Sequence, residues 1–208
     1  MELALHQGYR LLPGYFSRAE QELLVREIEA AVAAAPLFHG AMPKSGKLMS
    51  VAMTNTGPLG WYTDKARGYR YETRHPSTGM PWPEIPTLAL KAWDALADYP
   101  APPQACLINY YGTEARMGLH RDVDEEDFSA PVISLSLGDD ALFRMGGPAR
   151  KGSTASVVLH SGDIVIIGGP ARRFFHGIDH IFAGSSTLLP QGGRYNLTLR
   201  RVTKPDSR

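Results

Sequence analysis

A mainly β double-stranded β-helix, or jelly roll, with flanking helices is the fold class the sequence predicts, and three observations carry it. From Ala105 onward the chain breaks into short β-branched or aromatic runs separated by turn residues. No helical periodicity falls between those runs, which argues against βαβ units and for an antiparallel sandwich or barrel. The strong helical patterns lie before Ala105, so helices flank the sheet instead of alternating with its strands. At 208 residues, with no linker or low-complexity tract, residues 1–208 read as one domain.

Residues 1–40 form an N-terminal helical support. The opening "MELALHQGYRLLPG" has an acidic residue at position 2 and no long apolar run, so a cytoplasmic protein with no membrane partner is expected. Ser17-Arg18-Ala19-Glu20 reads as a capping box, and Leu24, Ile28, Ala31, Val32 and Ala35 recur at helical spacing until Pro36. A second helix is expected from Thr87 to Asp98, with Leu88, Ala92, Trp93 and Leu96 as its buried stripe. Between them, residues 41–86 are punctuated by Gly and Pro and are expected to hold short hairpins and functional loops. This segment also concentrates Lys44, Lys47, Lys65, Arg67, Arg70 and Arg74 against Asp64 and Glu72. The net charge of the chain is only +1, so any nucleic-acid binding must rest on such a local patch, which reads equally well as a solvated loop.

Residues 105–202 hold the strand-like runs "ACLINYY", "PVISLSLG", "ALFRMG", "ASVVLH", "DIVIIGG", "RFFHGI" and "RYNLTLRR"; residues 203–208 read as a frayed tail. Cys106, the single cysteine, excludes an internal disulfide and any zinc site built mainly from thiolates, and its neighbours suggest a buried structural thiol.

The chemistry sits within these strands. His120-Arg121-Asp122 is a His-x-Asp pair, which in a chain with 7 histidines arises readily by chance. Its value comes from company. A non-haem iron(II) oxygenase binds its metal through two histidines and one carboxylate, and residues two apart on a strand end point the same way. The third ligand must come from a sequence-distant strand. His160 precedes the turn "SGD" and reads as a loop residue; His176, in "RFFHG", is the choice, and His180, of the same parity, stays open. His6, His39 and His75 lie outside the expected sheet.

In "RYNLTLR", Arg194, Asn196, Thr198 and Arg200 share one strand face. That alternation is ordinary for a half-exposed strand. It also suits two guanidiniums gripping a dicarboxylate, because the arginine Cα atoms lie about 20 Å apart and long side chains can close that gap. Asn109 and Tyr111 share a face by the same parity. Two apparent motifs fail: "HRD" lacks the downstream residues of a kinase catalytic loop, and "GAMPKSGKL" lacks the spacing of a phosphate loop.

In order, "MSVAMTNTGPLGW", "PWPEIP", "ACLINYYGTEARMGLHRDVDEEDFSAPVISLSLG", "SGDIVIIGGPARRFFHGI" and "RYNLTLRR" resemble the AlkB family of iron(II)- and 2-oxoglutarate-dependent nucleic-acid dealkylases, over residues 41 to 202. The resemblance implies His120, Asp122 and His176 as Fe(II) ligands, with Asn109, Tyr111, Arg194 and Arg200 contacting 2-oxoglutarate; Asn196 counts with them. It implies Trp61 over a flipped base, Met53, Tyr69 and Tyr71 lining the same lid, and Asp124 near the base's exocyclic nitrogen. Lys65, Arg67 and Arg70 would attract phosphates. The implied reaction uses O2 and 2-oxoglutarate to demethylate bases such as 1-methyladenine and 3-methylcytosine in single- or double-stranded DNA, with RNA left open, giving succinate, CO2 and formaldehyde. No obligate protein partner is expected. The rivals are a hydroxylase of a protein or small molecule on the same scaffold, and a non-catalytic nucleic-acid-binding module.

Overall fold

Ser17 starts the first helix as its capping box dictates: its hydroxyl accepts from the Glu20 N–H at 3.4 Å, and the Glu20 carboxylate accepts from the Ser17 N–H at 2.8 Å. In the structure, a computed structural model describing residues 2–5 and 8–205, this helix is α1 (Arg18–Ala34), with Leu24, Val25, Ile28 and Ala31 buried. Helix α2 (Thr87–Leu96) stops two residues short of the expected Asp98. Asp98 itself has φ 46°, a left-handed conformation that cannot continue a right-handed helix. Its buried face is Ala89, Ala92 and Trp93, while Leu88 and Leu96, expected in that stripe, are half-buried at its edges.

The strands are β1 (Leu3–Ala4), β2 (Arg10–Leu12), β3 (Ala52–Thr56), β4 (Gly60–Asp64), β5 (Gly68–Glu72), β6 (Ala105–Tyr111) and β7 (Met117–His120). They continue with β8 (Val132–Gly138), β9 (Asp140–Met145), β10 (Ala155–Leu159), β11 (Ile164–Ile167), β12 (His176–Phe182) and β13 (Arg194–Arg200). Seven form one sheet in the order β1-β2-β11-β8-β13-β6-β3, four form a second in the order β10-β9-β12-β7, and β4-β5 is a separate hairpin. Every pairing is antiparallel, as expected of a jelly roll.

Two differences from the sequence reading follow from this topology. The N-terminal segment contributes β2 to the large sheet as well as helical support, and β3 draws part of residues 41–86 into that sheet, leaving the hairpin β4–β5 to stand alone. The run "RFFHGI" does not begin a strand at Arg173: Gly169–Arg173 forms a 3-10 turn with Pro170 near its start, so β12 opens at His176.

Alternation along the central strands separates two cores. Ile133, Leu135, Leu137, Ile164, Ile166, Leu197 and Leu199 face α1 and α2 on the outer side of the large sheet. Val132, Val165, Ile167, Phe143, Met145 and Ile178 fill the space between the sheets. The polar residues of β13 open into that inner space. The strand is therefore not half-exposed: Arg194, Thr198 and Arg200 are buried on one face as Tyr195, Leu197 and Leu199 are on the other. Cys106 is fully buried. No helix among the described residues is long and apolar enough to cross a membrane.

Candidate active site

His120 ends β7 and His176 opens β12, and the two are direct partners across that antiparallel pair. Cross-strand pairing is thus what brings the two imidazoles together, with ring centres 4.5 Å apart. Asp122 lies beyond the end of β7, so the strand-parity argument does not reach it. Arginines set it instead: Arg200 Nη2 donates to its Oδ1 at 2.9 Å, and Arg172 Nη1 donates to its main-chain carbonyl at 2.6 Å. The ligand atoms of His120, Asp122 and His176 all lie within 4.8 Å of one another.

The tautomers suit a metal. His120 Nδ1 lies 3.0 Å from the Gly118 carbonyl and His176 Nδ1 3.2 Å from the Phe174 carbonyl, so each ring donates there and turns Nε2 towards Asp122, at 3.9 and 3.8 Å. Burial, reinforced by His120, lowers the His176 imidazole to about 4, which leaves its Nε2 lone pair free at neutral pH. Burial alone would raise the Asp122 carboxyl, but Arg200, with both histidines and Arg172 behind it, outweighs burial and holds the group ionised. Asp122 Oδ2 is buried without a hydrogen-bond partner. The unprotonated His176 ring, with the His120 Nε2 turned to the same carboxylate, and an ionised, incompletely satisfied Asp122 together fit a divalent cation.

The other candidate histidines separate cleanly among the described residues. A bulge between Ile178 and His180 breaks the parity that tied His180 to His176, and His180 is exposed against Phe182. His160 is an exposed loop residue 2.8 Å from Asp140. His39 and His75 bond to main-chain carbonyls of the N-terminal half, and His6 lies outside the described residues.

Beside these three residues, one row of side chains crosses the inner face of the large sheet through register partners Met53, Asn109, Asn196 and Ser136. The next row pairs Tyr111 with Arg194. Arg194 Nη2 donates to Ser136 Oγ at 2.6 Å while its Nε has no partner, and burial pulls it down to about 10, still charged at neutral pH. Burial pushes the Tyr111 phenol well up, so it stays a donor. Asn109 Oδ1 is likewise unpartnered. Asn196 is already engaged, donating to Ser134 Oγ and the Leu135 carbonyl and accepting from Thr198. Its amide braces the row. Arg200, at the other end of β13, also keeps an unpartnered Nε beside Asp122. Four of the buried, unsatisfied side-chain atoms among the described residues thus line this one space, where a small dianion would satisfy the arginines.

The hairpin β4–β5 covers the site. Asn55 pins it by accepting the Trp61 N–H at 2.9 Å and donating to the Trp61 carbonyl at 3.0 Å. Trp61 and Tyr69 stack with ring centres 5.4 Å apart, and the Trp61 indole N–H donates to Asp124 Oδ2 at 2.8 Å. Trp61 is half-buried and belongs to neither core, so it does not cap one. Tyr71 donates to Glu125 Oε1, and Arg172 Nη2 donates to Glu125 Oε2 at 2.9 Å. The segment supplying Asp122 is therefore bonded twice to the lid. Met53 does not stand on this hairpin; it is fully buried on β3, beneath it. Of the expected basic patch, Arg67 pairs with Glu72 and Arg70 with both Asp64 and Glu72, while Lys44, Lys47, Lys65 and Arg74 form no ion pair among the described residues.

Sequence reasoning passed over Arg172, Glu125 and Tyr9. Tyr9, fully buried, donates to the Phe175 carbonyl at 3.0 Å and sets its ring edge on His176. Glu125 looked like one more charge in "DVDEEDF"; nothing in local sequence marks a carboxylate destined for burial.

Residues 8–200 match the family model of the 2OG-Fe(II) oxygenase superfamily. The chain is 51% identical over 200 residues to the alpha-ketoglutarate-dependent dioxygenase AlkB homolog of Caulobacter vibrioides, covering 96% of this chain and 90% of that protein. It is 42% identical over 196 residues to the alpha-ketoglutarate-dependent dioxygenase AlkB of Escherichia coli, covering 92% and 88%. The solved structure of OsALKBH1 superposes with a TM-score of 0.80 at 28% identity, covering 97% of this chain and all of that one.

Proposed function

Since the chain belongs to the 2OG-Fe(II) oxygenase superfamily, and within it to the AlkB dioxygenases, we propose that it removes alkyl groups oxidatively from the nitrogens of nucleic-acid bases. It is an Fe(II)-, 2-oxoglutarate- and O2-dependent enzyme. The substrates of this reading are lesions such as 1-methyladenine and 3-methylcytosine in DNA, with RNA as a further class, and the products are succinate, CO2 and formaldehyde. Relatives matching shorter stretches are named as demethylases of DNA and of tRNA. One observation carries the reading: the segment after β7 supplies Asp122 to the metal-ligand cluster and, through Asp124 and Glu125, holds the aromatic hairpin over it.

His120, Asp122 and His176 would hold the iron. Once bound, Fe(II) supplies activation of O2, coupled to decarboxylation of 2-oxoglutarate, and oxidation of the alkyl carbon. The chain's own work is placement. Arg194, with Tyr111 and Asn109, would anchor the carboxylate remote from the metal, Asn196 steadying Asn109, while Arg200 would receive the other end beside Asp122. Trp61 and Tyr69 offer stacking faces to a base turned out of its strand, and Asp124, on releasing the indole, presents a carboxylate to a positively charged methylated base. Tyr71 and Met53 close the wall behind it.

The test is formaldehyde and succinate release with a panel of N-methylated oligonucleotides, with and without Fe(II). Formaldehyde should appear only with iron and a methylated strand. Succinate formation indifferent to every methylated oligonucleotide would favour a hydroxylase of another substrate. His120→Ala, Asp122→Ala and His176→Ala should each abolish turnover and Co(II) binding while retaining the native circular dichroism spectrum; near-normal turnover in any one removes that residue from the ligand set.

A further inference from the structure

Arg121, Arg150 and Arg173 are exposed and form no ion pair among the described residues, yet each is held against an aromatic ring. The Arg121 guanidinium carbon lies 4.7 Å from the centre of Phe175, Arg150 shares that ring at 5.9 Å, and Arg173 lies 4.7 Å from the centre of Phe128. Carboxylates are plentiful nearby in sequence, but each is committed elsewhere. Asp122 is held by Arg200, Asp124 by Trp61, Glu125 by Tyr71 and Arg172, and Asp127 by Tyr99 and Ser129. Glu126 accepts from the Lys204 N–H. Arg121 is left uncompensated beside the most acidic stretch of the chain, and Arg150 and Arg173 have no ion pair among the described residues either.

We infer that Arg121 and Arg173, braced on Phe175 and Phe128, form a phosphate-binding track for the nucleotides flanking the reacting base, on the jelly-roll rim of the cleft opposite the lid. This rests on the reading of the site given above and names which surface takes the strand. Stacking occupies the π face of a guanidinium and leaves its edge N–H groups free for paired bonds to phosphate oxygens, with less side-chain freedom to lose on binding. The position is apt. Arg121 lies between two proposed metal ligands in sequence, and Phe175 immediately precedes the third, so the track begins within a nucleotide's length of the metal cluster. On the lid, Arg67 and Arg70 already face Asp64 and Glu72, which leaves Lys65 as that hairpin's cation without an ion pair among the described residues.

The experiment uses the full chain and an unmethylated single-stranded oligonucleotide of roughly 15 nucleotides, with fluorescence anisotropy followed across a salt series so that no turnover is required. Arg121→Gln and Arg173→Gln should each weaken binding and each lower the slope of log affinity against log salt by about 0.7, the change expected for one lost phosphate contact on a single strand. Arg121→Lys, which keeps the charge without the planar stack, should hold the parental slope at reduced affinity. Arg26→Gln, on the exposed face of α1 behind the large sheet, should match the parent. Glutamine variants that retain the parental slope overturn the track and leave the proposed reaction standing. Failure of the unaltered chain to bind the oligonucleotide at all overturns both.

Discussion

Arg172 donates to three acceptors at once: the Ala130 carbonyl, the Asp122 carbonyl and the Glu125 carboxylate. Both partners of the ion pair are almost wholly buried. Removing one side of such a pair strands the other charge in a low-dielectric interior, whereas removing both need cost little. Arg172→Met should therefore destabilise the fold by about 3–5 kcal/mol, read from urea midpoints, and adding Glu125→Leu should recover only the part due to the stranded carboxylate, since the Ala130 and Asp122 carbonyls and the Tyr71 hydroxyl stay without their partners; a double variant no better than the single would show that the stranded charge contributes little. Arg200 behaves differently, because it faces the space assigned to the dianion as well as Asp122. Arg200→Ala should raise the 2-oxoglutarate requirement of succinate formation at least tenfold, and an unchanged co-substrate dependence would remove it from that role. Sequence parity brought out Arg194 and Arg200 because strand alternation is local. Arg172 and Glu125 carried no comparable signal, since what commits them is a meeting of segments distant along the chain.

The pair β7–β12 depends on a residue with no side chain. A Cβ on Gly177 would stand 2.5 Å from the Met117 carbonyl oxygen and 3.0 Å from the Gly118 carbonyl carbon, both main-chain atoms that cannot yield without moving the strand. The missing side chain makes room for β7. Gly177→Ala should push the strands apart and separate His120 from His176, weakening Co(II) binding by about 10–100-fold, the range seen when the support of metal ligands is disturbed. An unaltered Co(II) titration would show that the bulged ladder absorbs the methyl group. Element type was largely legible: the capping box fixed the start of α1, and the β-branched runs after Ala105 marked strands. What escaped was the 3-10 turn ending at Arg173, which keeps the aromatic run that follows out of the strand until His176, and the bulge that turns His180 outward.

Across the whole molecule, one sheet separates an apolar core under the helices from a second core containing the proposed ligands and the buried arginines. The alternation in "RYNLTLR" reads as a half-exposed strand because pattern alone distinguishes polar from apolar, and a buried polar cavity looks like solvent at that level. Buried groups left unsatisfied should be compensated when their ligands bind, and ligands that bind only the folded chain stabilise it by mass action. A redox-inert stand-in, Mn(II), at a hundred times its dissociation constant should add about 2.7 kcal/mol, seen as a rise in Tm, with a further rise on adding 2-oxoglutarate. A Tm indifferent to both would mean that the inner cavity does not receive them.

The strand carrying both arginines sits between β6 and β8, yet it is the last of the thirteen strands among the described residues. On the ribosome, β6 and β8 emerge long before the strand that must part them, so their facing edges wait unpaired, and closure demands contacts between residues far apart in sequence. Until that strand arrives Asp122 lacks the guanidinium that aims it, and the proposed ligand set of a nascent chain is two imidazoles without an oriented carboxylate. Translation order would thereby place assembly of the proposed metal site after the synthesis of β13.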